Sequence, residues 1–304
     1  SHQVLLRPQE GTFSDWARAA TFSPDGARVA SAVNNRDDFA VRVNERVTGR
    51  QLATFSGPTL PIRDVALGVG GKVAAGSADG SIHVWDVDEK ICLWRTPAGP
   101  MVNAVAFSSD GHRLASGDSR GAVTVYDTAS GEVAFREERP NGWVRAITFS
   151  PNSRLMAAGF SDGTVTLYDM VTGASVDLPS RHAKGACALA FSYDGRLLAI
   201  TGGDGAVRLW SVDELRPLAP VNLEAKAVQV AFAPGGERLA ISAEDGAVHL
   251  YDRRSGREVQ VRDFDGKPTA LSQEYQLGSL AWTGQSHALS SISANGTVSE
   301  WSFG

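Results

Sequence analysis

Ile82-His83-Val84-Trp85-Asp86 decides the fold, because the chain repeats it in phase. The same succession returns as Val123-Thr124-Val125-Tyr126-Asp127, Val165-Thr166-Leu167-Tyr168-Asp169 and Val207-Arg208-Leu209-Trp210-Ser211. It continues as Val248-His249-Leu250-Tyr251-Asp252 and Val298-Ser299-Glu300-Trp301-Ser302, and a degenerate copy, Val41-Arg42-Val43-Asn44-Glu45, precedes them all. Each copy places apolar residues two apart, the period of a β-strand, except the last, which has Glu300 at the second of them; the next position is aromatic, except in the first copy, which carries Asn44 there. Successive copies lie about 42 residues apart, within the spacing of about 40–45 residues that marks four-stranded propeller blades. The last interval is lengthened by an insertion.

Outward from these third strands, a second set agrees in register. It reads Ala19-Ala20-Thr21-Phe22, Asp64-Val65-Ala66-Leu67, Ala104-Val105-Ala106-Phe107, Ala146-Ile147-Thr148-Phe149, Ala188-Leu189-Ala190-Phe191, Gln229-Val230-Ala231-Phe232 and Ser279-Leu280-Ala281-Trp282. Small and large apolar residues intermix because a blade packs against neighbours on both faces. Turns follow at Pro24-Asp25-Gly26, Asp110-Gly111, Asp194-Gly195 and Gly235-Gly236, and tight hairpins at Asp79-Gly80, Asp162-Gly163, Asp204-Gly205, Asp245-Gly246 and Asn295-Gly296. The expected architecture is all-β: a single seven-bladed β-propeller of four-stranded antiparallel blades over residues 3–304. Its blades fall at about 17–56, 62–96, 102–138, 144–180, 186–221, 227–262 and 275–304. The seventh is one strand short, and Gln3-Val4-Leu5-Leu6-Arg7 supplies a spare apolar strand to complete it and close the ring. Ser1-His2 reads as a tag remnant.

At these residues the chain resembles the WD-repeat family over nearly its whole length, with a bacterial member as the nearest kind. The resemblance implies a scaffold whose variable loops share one "top" face. It assigns His182, nine residues before Phe191, a structural network with Thr201, Asp204 and Trp210 in the fifth blade. It also implies partner-contacting positions four and six residues before the anchor that ends the first strand. Four before gives Arg18, Arg63, Asn103, Arg145, Cys187, Val228 and Gly278; six before gives Trp16, Pro61, Met101, Trp143, Gly185, Lys226 and Gln276. The partner-binding candidates are therefore Trp16, Arg18, Arg63, Met101, Asn103, Trp143, Arg145 and Lys226. Tryptophan and arginine dominate binding hot spots, the one filling pockets, the other making forked charge-assisted bonds. A second reading stays open, in which Trp16 and Trp143 cap blades that lack the histidine and the arginines pair with Asp64, Asp37 or Asp38. Irregular segments at 34–38 and 263–275 add to the expected top face.

Composition sets the outer limits. Of 304 residues, 42% are hydrophobic and 21% charged, ample for a globular core, and the net charge of -5 argues against a nucleic-acid partner. No apolar run is long enough to span a membrane. Cys92 and Cys187 fit no metal or redox spacing and read as ordinary thiols of a reducing, cytoplasmic setting. The six histidines are dispersed, so no zinc site and no cofactor are expected. Gly117-Asp118-Ser119-Arg120-Gly121 and Gly159-Phe160-Ser161-Asp162-Gly163 match the nucleophile-elbow pattern, which requires a strand-to-helix turn. Both fall in strand-to-strand hairpins.

The expected function is a non-catalytic protein–protein interaction scaffold or sensor domain of a larger signalling protein, monomeric, binding an acidic or phosphorylated peptide on the top face. The alternatives are a propeller enzyme and a binder of small anions or nucleic acid at the central channel.

Overall fold

The fold, described by a computed structural model over residues 2–6, 19–35, 38–97, 100–139, 142–179, 182–183, 185–218, 221–222, 226–244, 247–253, 257–259, 271–272, 277–283, 288–293 and 298–302, consists of seven antiparallel sheets in a ring. Blade one comprises Ala20–Phe22, Arg28–Asn34, Phe39–Glu45 and Gln51–Ser56 from the axis outward. Blades two to four follow the same order from Ile62–Leu67, Val102–Phe107 and Val144–Phe149 as inner strands. Blades five, six and seven begin at Ala186–Phe191, Ala227–Phe232 and Leu277–Thr283. Each inner strand neighbours that of the blade before and after it, and blade seven neighbours blade one. Outermost in blade seven, His2–Leu6 pairs antiparallel with Val298–Ser302.

The alternation of small and large residues explains why blades stack. Among the described residues, the buried apolar side chains fall into seven clusters, each between two neighbouring blades. Trp85 and Phe55 stack with centroids 5.3 Å apart across the first of them. Between blades seven and one, the described apolar residues are Ala20, Phe22, Val29 and Ala281. There Glu300 forms a half-buried ion pair with Arg46, which also donates from Nε to the Gly26 carbonyl (2.6 Å). Close approach of blades fixes one residue type on the second strand. A Cβ at Gly117 would sit 2.2 Å from Cγ1 of Val144 in the next blade, and Gly76 meets Val102 at 2.5 Å.

The turn after each inner strand has its own chemistry. In blades one, three and five, a serine hydroxyl donates to an aspartate two residues on (Ser23–Asp25, Ser108–Asp110, Ser192–Asp194, 2.5–2.6 Å). The same serine oxygen accepts the N–H five residues on, at 2.8–2.9 Å. This local ring replaces the ladder where the chain reverses.

Two expectations change. The segment 263–275 does not simply link blades six and seven. The outer strand of blade six is split into Arg257–Glu258, opposite Tyr251–Asp252, and Leu271–Ser272, opposite Ala247–Val248. Blade six thus includes Leu271–Ser272 and runs to residue 272 rather than 262; residues 260–270 and 273–276 lie outside the described residues. Blade five's outer strand is split likewise into Arg216–Pro217 and Val221–Asn222, where proline withholds a ladder donor. Second, the irregular stretch at 34–38 begins as structure. Asn34 exchanges two hydrogen bonds with the Ile62 backbone of blade two (2.9 and 2.8 Å), clasping the neighbouring inner strand. Residues 36 and 37 lie outside the described residues.

Candidate functional site

The inner strands enclose a central channel of about 910 Å³. Its wall is kept open by small residues, among them Ala66, Ala106, Ala146 and Ala188. Two repeated backbone devices set what projects at its rim.

The first is a β-bulge. In blades two to seven the inner strand slips register by one residue close to its start, between Ile62 and Asp64, Val102 and Ala104, Val144 and Ala146, Ala186 and Ala188, Ala227 and Gln229, and Leu277 and Ser279. The residues left unpaired are Arg63, Asn103, Arg145, Cys187, Val228 and Gly278. Bulges re-aim side chains, and the first five of these line the channel. The second device is a hydrogen bond from the hairpin between second and third strands. Ala78, Ser119, Ser161, Gly203 and Glu244 donate their N–H to the carbonyls of Pro61, Met101, Trp143, Gly185 and Lys226, at 2.9–3.2 Å. These carbonyls belong to the residues two positions before each bulge.

The structure therefore brings together Arg63, Met101, Asn103, Trp143, Arg145 and Lys226 around one channel. Trp16 and Arg18 lie outside the described residues. Trp143 is 52% exposed, which excludes a buried cap. Its N–H is held by Ser161 Oγ at 3.1 Å, so this serine of an elbow-like match serves a hairpin instead. The Arg145 guanidinium lies against blade five: a Cβ on Gly185 would come within 2.7 Å of it, and Gly185 has a φ of 86°. Lys226 is ion-paired with Glu244. Asn103 Nδ2 is shielded from water and has no hydrogen-bond partner.

Acids and a thiol share the wall. Asp64 accepts from the N–H of Val65 (3.0 Å) and, across the blade boundary, of Val105 (2.8 Å). Burial nevertheless outweighs those donors and pushes its carboxyl up to about 7. Burial likewise pushes the Cys187 thiol up, against the opposing pull of Arg145 and Lys226. Cys92 and Cys187 are both free.

The expected network in blade five is only half formed. His182 Nδ1 and Asp204 Oδ1 are 2.9 Å apart, and Arg208 Nη1 donates to Asp204 Oδ2 at 3.0 Å. Burial lowers the pKa of His182, and bonds from His182 and Arg208 overcome burial to hold Asp204 below the usual carboxylate range. Thr201, however, spends its hydroxyl on the bulge, accepting the Ala188 N–H at 2.9 Å. Trp210 Nε1 is left buried without a partner. The bulge creates an orphan N–H directly opposite Thr201, and that nearer donor takes the hydroxyl. Arg208, which the sequence reading omitted, is the third member instead.

Among the described residues, no three His, Cys, Asp or Glu side chains are grouped to hold a metal ion, and no helix is long and apolar enough to cross a membrane. No curated protein matches the chain. One family does match, described as outer membrane protein assembly factor BamB, over residues 29–178 and 106–302. Together the two matches run from the second strand of blade one to the last strand of blade seven. With seven blades in a closed ring and a match over most of its length, the chain belongs to this BamB family of β-propellers.

Proposed function

We propose that the protein is a non-catalytic interaction scaffold that binds an acidic peptide segment of a partner protein at the channel rim. The observation that carries this reading is the convergence of Arg63, Arg145, Lys226 and a half-exposed Trp143 on one channel, fixed by bulges and hairpin hydrogen bonds rather than by loops. An exposed indole next to a guanidinium is the composition of a binding hot spot. Membership in a family named for an assembly factor fits a protein-binding role. The finer WD-repeat likeness, from which the rim positions were read, is supported by the seven phased third strands and by the His182–Asp204 pair.

The test is retention of a peptide library of graded acidity on the immobilised protein. Acidic members are expected to bind, and Trp143→Ala and Arg145→Ala to weaken them by about 1–3 kcal/mol each. Equal binding of neutral and acidic members, or unchanged binding by both variants, rules the reading out. Binding of single-stranded oligonucleotides with a steep salt dependence would instead favour a nucleic-acid site.

A further inference from the structure

The outer edges of blades one to six can be compared position by position, because the repeat builds each from the same parts. An unpaired strand edge is a template for another strand, and proteins blunt it with charge, brevity or interruption. Blade three's outer strand ends in Arg136, Glu137 and Glu138, and blade four's is only Ser175–Asp177. Blades five and six break theirs into two-residue pieces, Arg216–Pro217 with Val221–Asn222 and Arg257–Glu258 with Leu271–Ser272. Blade one's runs longer, over Gln51–Ser56, but the residues it exposes are polar: Gln51, Thr54 and Ser56.

Blade two departs from all of these. Its outer strand, Ile91–Pro97, is the longest of the six, and Ile91 (51%) and Leu93 (37%) stand exposed with the Cys92 thiol between them. The strand is fixed in place, since the Trp94 indole donates to the Thr128 carbonyl of blade three at 2.8 Å and lies 5.7 Å from the Tyr126 ring. A bulge at Leu93 does not blunt this edge in particular, because blades one and three carry one at the same point. Two residues beyond Leu93 comes Arg95, the one charge on the strand. Its guanidinium is exposed and has no hydrogen bond or ion pair among the described residues. The residue across the ladder from it is His83, a base rather than an acid.

The exposed positions therefore alternate as apolar, apolar, cationic, with a rise of about 6.6 Å from each to the next. An added strand advances by the same step, so its own alternate residues meet these three in turn. Three side chains on the outside of a ring fall well short of the roughly 800 Å² that each partner contributes to a stable interface. That favours a short segment over a folded surface. A second copy paired antiparallel about Leu93 would set each Arg95 against Ile91 rather than an acid.

We propose that the outer edge of blade two accepts an extended segment of a partner protein as a fifth strand, with apolar side chains over Ile91 and Leu93 and an acidic one at Arg95. Main-chain hydrogen bonds supply the adhesion, and the alternate side chains select the segment. The site lies on the flank of the ring and is independent of the rim.

The probe is a degenerate peptide library of about ten residues, in which Val, Ile or Leu alternate with Thr or Ser and one of the apolar positions carries Glu, Gln or Lys. Retention on the immobilised full chain is measured for the wild type, Leu93→Lys, Arg95→Glu and Trp143→Ala, with melting temperatures alongside. Members with Glu should be retained about tenfold above those with Lys, and Arg95→Glu should reverse the preference. Leu93→Lys should lower retention about tenfold at an unchanged melting temperature, and Trp143→Ala should leave it as it was. A retained peptide is then N-methylated at alternate amides in either phase; one phase should abolish binding and the other preserve it.

Equal behaviour of the two phases overturns strand addition, and undiminished retention by Leu93→Lys overturns its location. If that variant melts lower, the charge reversal at Arg95 and the methylated peptides on the wild type decide. Loss of retention in Trp143→Ala alone puts the peptides at the rim, which overturns the proposal and leaves the acidic-peptide reading standing. No retention of any member overturns it outright. A dimer in sedimentation that Leu93→Lys dissolves gives the edge to a second copy and overturns the partner assignment.

Discussion

Replacing Asp64 by asparagine tests the electrostatics of the channel wall in a way that no rim variant does. The ordinary carboxyl titrates at 3.8, whereas burial pushes this one up to about 7. Between those values the folded state holds a proton that the unfolded chain has released, so raising the pH erodes stability. The contribution is complete below about pH 4, fades through the folded value near 7, and above it the ionised carboxylate weighs on the fold in full. At about 1.4 kcal/mol per pH unit the gap sets a ceiling of about 4 kcal/mol. Channel water that reaches the half-buried side chain reduces this. With an unfolding entropy of about 2 cal/mol/K per residue, a chain of 304 residues converts 4 kcal/mol into about 6 °C of melting temperature. Asparagine cannot ionise and retains one acceptor oxygen for the Val105 N–H. Of the ceiling of about 4 kcal/mol, about 2.6 kcal/mol falls between pH 5 and pH 8, so calorimetric melts of both proteins at those two pH values should show the variant gaining on the wild type by up to about 4 °C between them. All other titrating groups are common to both proteins and cancel in the comparison. A difference that is the same at both pH values would falsify the assignment of Asp64 as a desolvated carboxyl.

Three further substitutions probe how the ring is held. Glu300→Ala strips Arg46 of its half-buried partner at the seam and should cost about 2 kcal/mol, below the 3–5 typical of full burial because the two side chains remain 16% and 19% exposed; an unchanged melting temperature refutes a seam role. Gly117→Ala drives a methyl into Val144 and should destabilise by about 1–3 kcal/mol, and adding Val144→Ala should recover part of it; strict additivity in that cycle would contradict the contact. Thr201→Val leaves the Ala188 N–H unpaired at its bulge and should cost about 1–3 kcal/mol. Trp210 fluorescence unaltered by that variant would agree with its indole standing outside the network, and a clear shift would count against it.

The blade count was legible because evolution of a repeat prints the same physics several times. Trp85, Tyr126, Tyr168, Trp210, Tyr251 and Trp301 lie near the ends of strands that face the same inter-blade packing, so their phase, together with the degenerate Asn44 copy one period earlier, gave seven units. The rim residues were found as offsets in a resemblance, without their cause. A bulge is an event in the backbone register, and nothing in the side chains of Arg63 or Arg145 announces it. The split outer strand of blade six escaped for a related reason: two-residue ladders such as Leu271–Ser272 carry no readable period. Partnerships across long stretches of chain were equally silent. Arg46 and Glu300 are 254 residues apart, and Asp64 finds Val105 one blade away. Thr201 was matched to Trp210 by analogy, but local geometry gave its hydroxyl a nearer claimant.

The pairing of His2–Leu6 with Val298–Ser302 also shapes how the ring comes into being. Every other described strand finds its ladder partners within its own blade, at short sequence separation. This one joins residue 2 to residue 301. Closing so long a loop adds only about 2 kcal/mol of entropy over closing one the length of a blade. The larger consequence is one of order in time. A chain leaving the ribosome can lay down blade after blade as it emerges. The ring's first strand, however, has to wait for its last. Until then the growing arc presents an open edge at each end, and those edges invite pairing with another chain. Assembly of this protein thus ends on a single late event, and that event decides whether the product is one closed ring or a chain of open ones.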